Sequence, residues 1–176
     1  MSRRPVPIDL AIPRIVQETP VWCWAAVTKM VVSHFKGGGL VPEQREIVRM
    51  ALGQDRDERW QDAVPGDAVV PSDAHFIRLM VRLLSRRASS WFPPCSGEEI
   101  YANLYFGNVV ILHLQISATM GHVVVVAGAR PSHESGGFEV LMNDPDPRIP
   151  HAFWTRYDAV APAVVQHMVI YRDIRG

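Results

Sequence analysis

The chain has 176 residues, 48% of them hydrophobic, with 18 basic and 18 acidic side chains and no formal net charge. That length suits one domain whose core needs no staples, and the apolar content excludes a disordered or linker-like chain. The balanced charge argues against nucleic acid as the main partner, which would leave a larger basic footprint than Arg3-Arg4 or Arg86-Arg87.

The N-terminus starts like a signal peptide, but Leu10-Ala-Ile-Pro13 is too short and too proline-broken to be its apolar core. No stretch is long enough to span a bilayer. The expectation is a chain that is cytoplasmic where it is made, with export by a specialised secretion system left open. Residues 5–20 hold four prolines and read as an extended lead-in. From Trp22 to about Phe35 nearly every residue outside the stripe Lys29, Ser33, Lys36 is apolar, which predicts a central buried helix ended by Gly37-Gly38-Gly39. Pro42 to Leu52 is a second helix with Pro at its start and Gly53 past its end. The charged stretch 54–70 reads as a surface loop and one wall of a cleft. A third helix over Ser72–Arg86 carries Phe76, Leu79, Met80, Leu83 and Leu84 at helical spacing. Ser96 and Glu99 form a capping box for a short helix through Tyr105, stopped by Gly107.

The period then changes. Val109–Leu114, His122–Gly128, Phe138–Met142 and His167–Tyr171 read as valine- and isoleucine-rich strands. The turn chemistry of 129–137 predicts an antiparallel hairpin between the second and third of these. Helices first and an antiparallel sheet afterwards define an α+β fold: one domain over 1–176, helical over about 17–107 and β-rich over about 108–173.

Four residues carry chemistry in this pattern. Cys23 falls in the first turn of the central helix, where unpaired N–H groups and the helix dipole favour a thiolate. A hairpin symmetric about its turn places Gly128 opposite Phe138, Val123 opposite Asn143 and His122 opposite Asp144. Opposed Cβ atoms lie about 4.5–5.5 Å apart on one face. A shift of one residue brings Asn143 or Pro145 there instead. Gln17 precedes the helix at a distance that lets its amide turn back toward Cys23 and, with the Cys23 N–H, form an oxyanion hole. Trp22 and Trp24 flank the thiol and read as site walls, and Trp91, Phe92 and Trp154 are further wall candidates. Taken singly, each part has a plainer reading: a lone Cys in a helix is usually core, and Asn-Asp-Pro is a common turn. The combination makes the case. Cys95, the second cysteine, reads as a reduced thiol rather than a disulfide partner, and no Cys/His spacing suggests a metal site. His34, His75, His113 and His167 read as structural or surface residues.

The pieces Gln17, Cys23-Trp24-Ala25-Ala26, Gly121-His122-Val-Val-Val and Asp144-Pro145 resemble papain-like cysteine peptidases. The likeness is to the compact bacterial branch that includes bacteriocin-processing peptidases and effector proteases injected into plant cells. The chain carries neither the disulfides nor the pro-segment of the larger plant and lysosomal members, which points to a cytosolic bacterial origin. The resemblance implies a Cys23 nucleophile, His122 as general base and acid, Asp144 as orienting acid with Asn143 a minor candidate, and Gln17 in the oxyanion hole. It implies hydrolysis of a peptide bond through a thioester with no metal or organic cofactor, a protein or peptide substrate, an inhibitor or immunity protein as a further partner, and a role as effector or toxin. The same residues on a related fold also serve transglutaminases, deamidases, isopeptidases and amidases, and a non-catalytic binding module is a third reading.

Overall fold

The computed structural model describes residues 5–52, 73–118, 120–132 and 136–173. The expected loop 54–70, and with it Gly53 and Ser72, lies outside the described residues. Helix α1 spans Cys23–Lys36 and is buried from Cys23 through Thr28 and again over Met30, Val31 and Val32. The near-total apolar circumference put it at the centre, and the one buried hydroxyl, Thr28, donates to the Trp24 carbonyl at 2.8 Å. Gly37 closes it in the left-handed conformation (φ 57°), a position that costs a side-chain-bearing residue energy. Helices α2 (Gln44–Leu52) and α3 (Asp73–Ser85) pack on it.

The buried line of α3 differs from the expected one. Ile77, Met80 and Val81 are fully buried, whereas Leu79 and Leu83 are 42% and 59% exposed. Two apolar lines at helical spacing run along this helix, and packing against α1 selects between them. Helix α4 (Gly97–Tyr105) has both capping-box bonds: Ser96 Oγ accepts from the Glu99 N–H, and the Glu99 carboxylate accepts from the Ser96 N–H.

Among the described residues, seven strands form one antiparallel sheet: β1 (Ile8–Asp9), β2 (Ser89–Phe92), β3 (Val109–Gln115), β4 (Gly121–Pro131), β5 (Phe138–Asn143), β6 (Phe153–Arg156) and β7 (Val164–Ile170). Their order is β2-β7-β3-β4-β5-β6, with β1 on β4 where β3 leaves off. A short helix α5 (Tyr157–Val160) and one 3-10 turn join β6 to β7. The fold is α+β, as the change of period implied. The sheet is buried on both faces. Val109, Ile111, Val123 and Val125 pack into the core under α1, α2 and α3. Their neighbours Val110, Leu112, Val124 and Val126 pack with Ile100 and Leu104 of α4 and Tyr157 of α5. Two apolar faces remove the usual alternation, which is why Val123–Val126 is an unbroken run. Among the described residues no helix is long and apolar enough to cross a membrane.

Candidate active site

The sulfur of Cys23 sits at the first position of α1, and the residue is 5% exposed. Trp22 at the N-cap offers no side-chain bond, and the first turn holds no acidic residue. The free N–H groups and positive dipole end of the helix are therefore unopposed at the thiol.

His122 is the second residue of β4, and Asp144 follows β5 directly. His122 Nε2 and Asp144 Oδ1 are 2.7 Å apart, and both side chains are largely buried. The same Oδ1 accepts from the Asp146 N–H at 2.8 Å, which fixes the carboxylate's rotation. Burial alone would push His122 down. Hydrogen bonding and charge from Asp144 and from the Cys23 side chain outweigh it, and the imidazole is raised to about 10. With Nε2 taken by the carboxylate, Nδ1 is the ring nitrogen left for the thiol.

The hairpin register differs from the symmetric one. Strand β4 continues to Pro131, which pairs with Phe138, and an irregularity between Val126 and Gly128 sets Asn143 opposite Val125 rather than Val123. His122 is thus not directly opposed to Asp144. The displacement is two residues, an even number, so side chains keep their faces and the carboxylate becomes a diagonal neighbour of the ring. The imidazole meets Asp144 and not Asn143. Asn143 is 1% exposed and donates from Nδ2 to the Ile12 carbonyl at 2.8 Å.

Gln17 is committed locally. Its Nε2 donates to the Thr19 carbonyl at 3.0 Å, and its Oε1 is buried with no partner. Its backbone N–H donates to the Pro145 carbonyl at 2.9 Å, so it is tied to the residue beside Asp144.

Other expectations sort as follows. Trp24 is 1% exposed and packs its ring against Phe76 at 5.2 Å, so it belongs to the core and not to a site wall. Trp154 is engaged by the Arg130 guanidinium, 4.3 Å from the ring centre, and Phe92 stacks on His167. Cys95 is a free, buried thiol in the opposite core cluster from Cys23, 3.6 Å from the Tyr157 hydroxyl, and burial raises its pKa. His113 lies nearer the site than expected. Burial and the charge on His122 both lower its pKa, and Gln166 Nε2 donates to its Nδ1 at 2.9 Å. Its Nε2 stands where a Cβ on Gly121 would be only 2.6 Å away.

Two polar residues that no motif singled out, Arg14 and Gln44, bond to the backbone around Asp144 and Gln17. Gln44 did leave a trace in the sequence. It shares the buried line of α2 with Ile47 and Val48, where a polar side chain must find partners. Arg14 left none.

No protein-family model and no curated protein sequence matches this chain. Solved structures do match in shape. The peptidase domain of Streptococcus ComA, described as a bifunctional ABC transporter involved in a quorum-sensing pathway, aligns with a TM-score of 0.62 at 13% identity, covering 91% of this chain and 98% of that one. A putative C39-like peptidase from Bacillus anthracis aligns at 0.63 and 12% identity, covering 94% and 97%. UfSP from C. elegans aligns at 0.59 and 14% identity over 97% of this chain but 35% of its own. At such identities the likeness is one of fold, and that fold is the papain-like α+β arrangement.

Proposed function

We propose that this chain is a papain-like cysteine peptidase in which Cys23 is the nucleophile, His122 the general base and acid, Asp144 the orienting acid, and Gln17 with the Cys23 N–H the oxyanion hole. The observation that carries the reading is one imidazole bonded to the Asp144 carboxylate at 2.7 Å and raised as well by the Cys23 side chain at the start of α1. The shape shared with the ComA peptidase domain and the C39-like peptidase supports a peptide or protein as the substrate.

The Cys23 thiolate attacks the carbonyl carbon of the scissile bond, and the electron pair moves onto the carbonyl oxygen. The Cys23 N–H and the second hydrogen of Gln17 Nε2 stabilise that oxyanion. His122 gives its proton to the departing amine as the C–N bond breaks, leaving a thioester on Cys23. His122, now neutral, takes a proton from water, which attacks the thioester. The acid product leaves, and sulfur regains its negative charge beside the imidazolium. Asp144 holds the ring throughout and stabilises its charged form.

The test is turnover of a mixed peptide library by the wild type and Cys23→Ala, with products weighed by mass spectrometry. New peptide ends with the wild type alone are expected. Equal product from both proteins would remove Cys23 from the chemistry. Ammonia release or new isopeptide bonds in place of new ends would keep the thiol and replace hydrolysis with deamidation or acyl transfer.

A further inference from the structure

The extended segment from Ile8 to Glu18 is tied to the site along its length. Ile8 and Asp9 pair with β4, and the Leu10 N–H donates to the Ala127 carbonyl at 2.8 Å. Ala11 is held at a φ of 50°, a left-handed conformation unfavourable for alanine, between that bond and the one from Asn143 to Ile12. The strap is therefore forced into place by its anchors and does not follow local preference.

Beyond Ile12, two side chains take over. Arg14 donates from Nε to the Asp144 carbonyl at 2.8 Å and from Nη2 to the carbonyls of Asp146 at 2.9 Å and of Ile149. A guanidinium is a planar fork of fixed donors, so three carbonyls on it fix the turn that carries the acid. At the other end Gln44, 2% exposed, donates from Nε2 to the Val16 carbonyl at 2.7 Å and accepts on Oε1 from the Glu18 N–H at 3.1 Å. Its amide grips the carbonyl before Gln17 and the N–H after it, as a neighbouring strand would. Both peptide groups flanking the oxyanion residue are held, and the Gln17 N–H to Pro145 bond joins this end to the acid's turn. A buried amide and a cation turned toward neutral carbonyls are costly placements unless the bonds they make are needed. The reaction described above uses neither side chain.

We propose that Gln44 and Arg14 are positioning residues for the two ends of the site, Gln44 setting Gln17 for the oxyanion and Arg14 setting Asp144 for the imidazole. This rests on the peptidase reading of Cys23 and His122. The two ends serve different steps, so they separate experimentally. Alkylation of Cys23 by iodoacetamide needs the thiolate and its imidazolium but no oxyanion hole; peptide turnover needs both. The charged and titratable groups that bear on the pair besides Arg14 are Asp146 and Arg148 on the turn and His113 on β3.

The experiment measures kcat and KM on a fluorogenic peptide, the pH profile of Cys23 alkylation and the melting temperature, for Gln44→Glu, Gln44→Met, Arg14→Lys and Arg14→Met. The Gln44 variants should lose kcat by about a hundredfold, the order expected for a donor misplaced by about an ångström, with KM and the alkylation profile unmoved. Arg14→Lys keeps the charge and loses the fork. It should move the alkylation profile toward higher pH and lower kcat/KM in parallel, and Arg14→Met should do the same more strongly. Wild-type turnover in folded variants overturns the proposal. So does a loss of melting temperature with both readouts falling together in all four, or a failure of both variants at either position to fold, since each marks a purely structural strap. An inactive Cys23→Ala beside normal Gln44 and Arg14 variants sinks the positioning roles alone, whereas an active Cys23→Ala sinks the underlying reading.

Discussion

The two sides of the site are built by different means. His122 sits on β4, paired there with Leu114 of β3, on a strand that β5 flanks from Val125 onward and that packs apolar side chains on both faces of the sheet. Gln17 and Asp144 sit on irregular backbone held by a few side chains, Arg14 with three hydrogen bonds, Gln44 with two and Asn143 with one, and by the Gln17 N–H. Sheet pairing spreads the load over many bonds, so the first side should tolerate substitution away from the ring itself. The second side should be brittle, because each bond there has no redundancy.

The largest effect should come from the ring. His122→Ala removes both proton-transfer roles and should lower kcat/KM by at least about a thousandfold, with Cys23 alkylation at neutral pH slowed as well. Unchanged alkylation would place the activating charge elsewhere. Next is the acid. His122 is raised to about 10, so the imidazolium proposed to protonate the leaving amine persists until the pH nears that value and is lost above it. The basic limb of kcat/KM should therefore lie near pH 10, well above the ordinary imidazole range. Asp144→Asn keeps an acceptor oxygen but removes the charge and weakens the hydrogen bond, and should draw that limb downward with a loss of about ten- to a hundredfold. A limb that does not move would separate Asp144 from the ring's titration.

A third test strikes the sheet side next to the ring. Gly121→Ala would place a Cβ 2.6 Å from His113 Nε2, and His113 is held in turn by Gln166. Either the His113 ring or the strand one residue before His122 must shift, with about 1–3 kcal/mol of stability lost and a fall in kcat. Adding His113→Ala should recover much of both, and additive losses in this double-mutant cycle would show that the two positions do not press on each other. The smallest effect is remote: Ser96→Ala removes a capping bond of α4 and should cost about 1 kcal/mol by thermal unfolding with kcat unmoved.

The same contrast explains what was legible in the sequence. Period and composition announce α1, the capping box of α4 and the valine strands, because repeated apolar positions encode repeated contacts. The short strands β1, β2 and β6 escaped, since two to four residues carry no period. The register of β4 on β5 was misplaced because nothing in Ala129–Pro131 says that the strand continues and nothing at Ala127 announces an irregularity. The meeting of His122 with Asp144 survived that error because parity, not register, decides the face. Arg14 and Gln44 act through backbone carbonyls and N–H groups that every residue possesses, so their targets have no letter in the sequence.

The strap has a temporal consequence. Arg14 and the Asp144 carbonyl it holds are separated by 130 residues of chain, and Asn143 reaches Ile12 across 131. Closing so long a loop is slow and costly, and its contacts form after local ones. A nascent chain synthesised through β4 would already carry the thiol and the imidazole yet have no carboxylate to steady them. On the proposed peptidase reading, cleavage would then start only once β5 and the turn beyond it had emerged and docked.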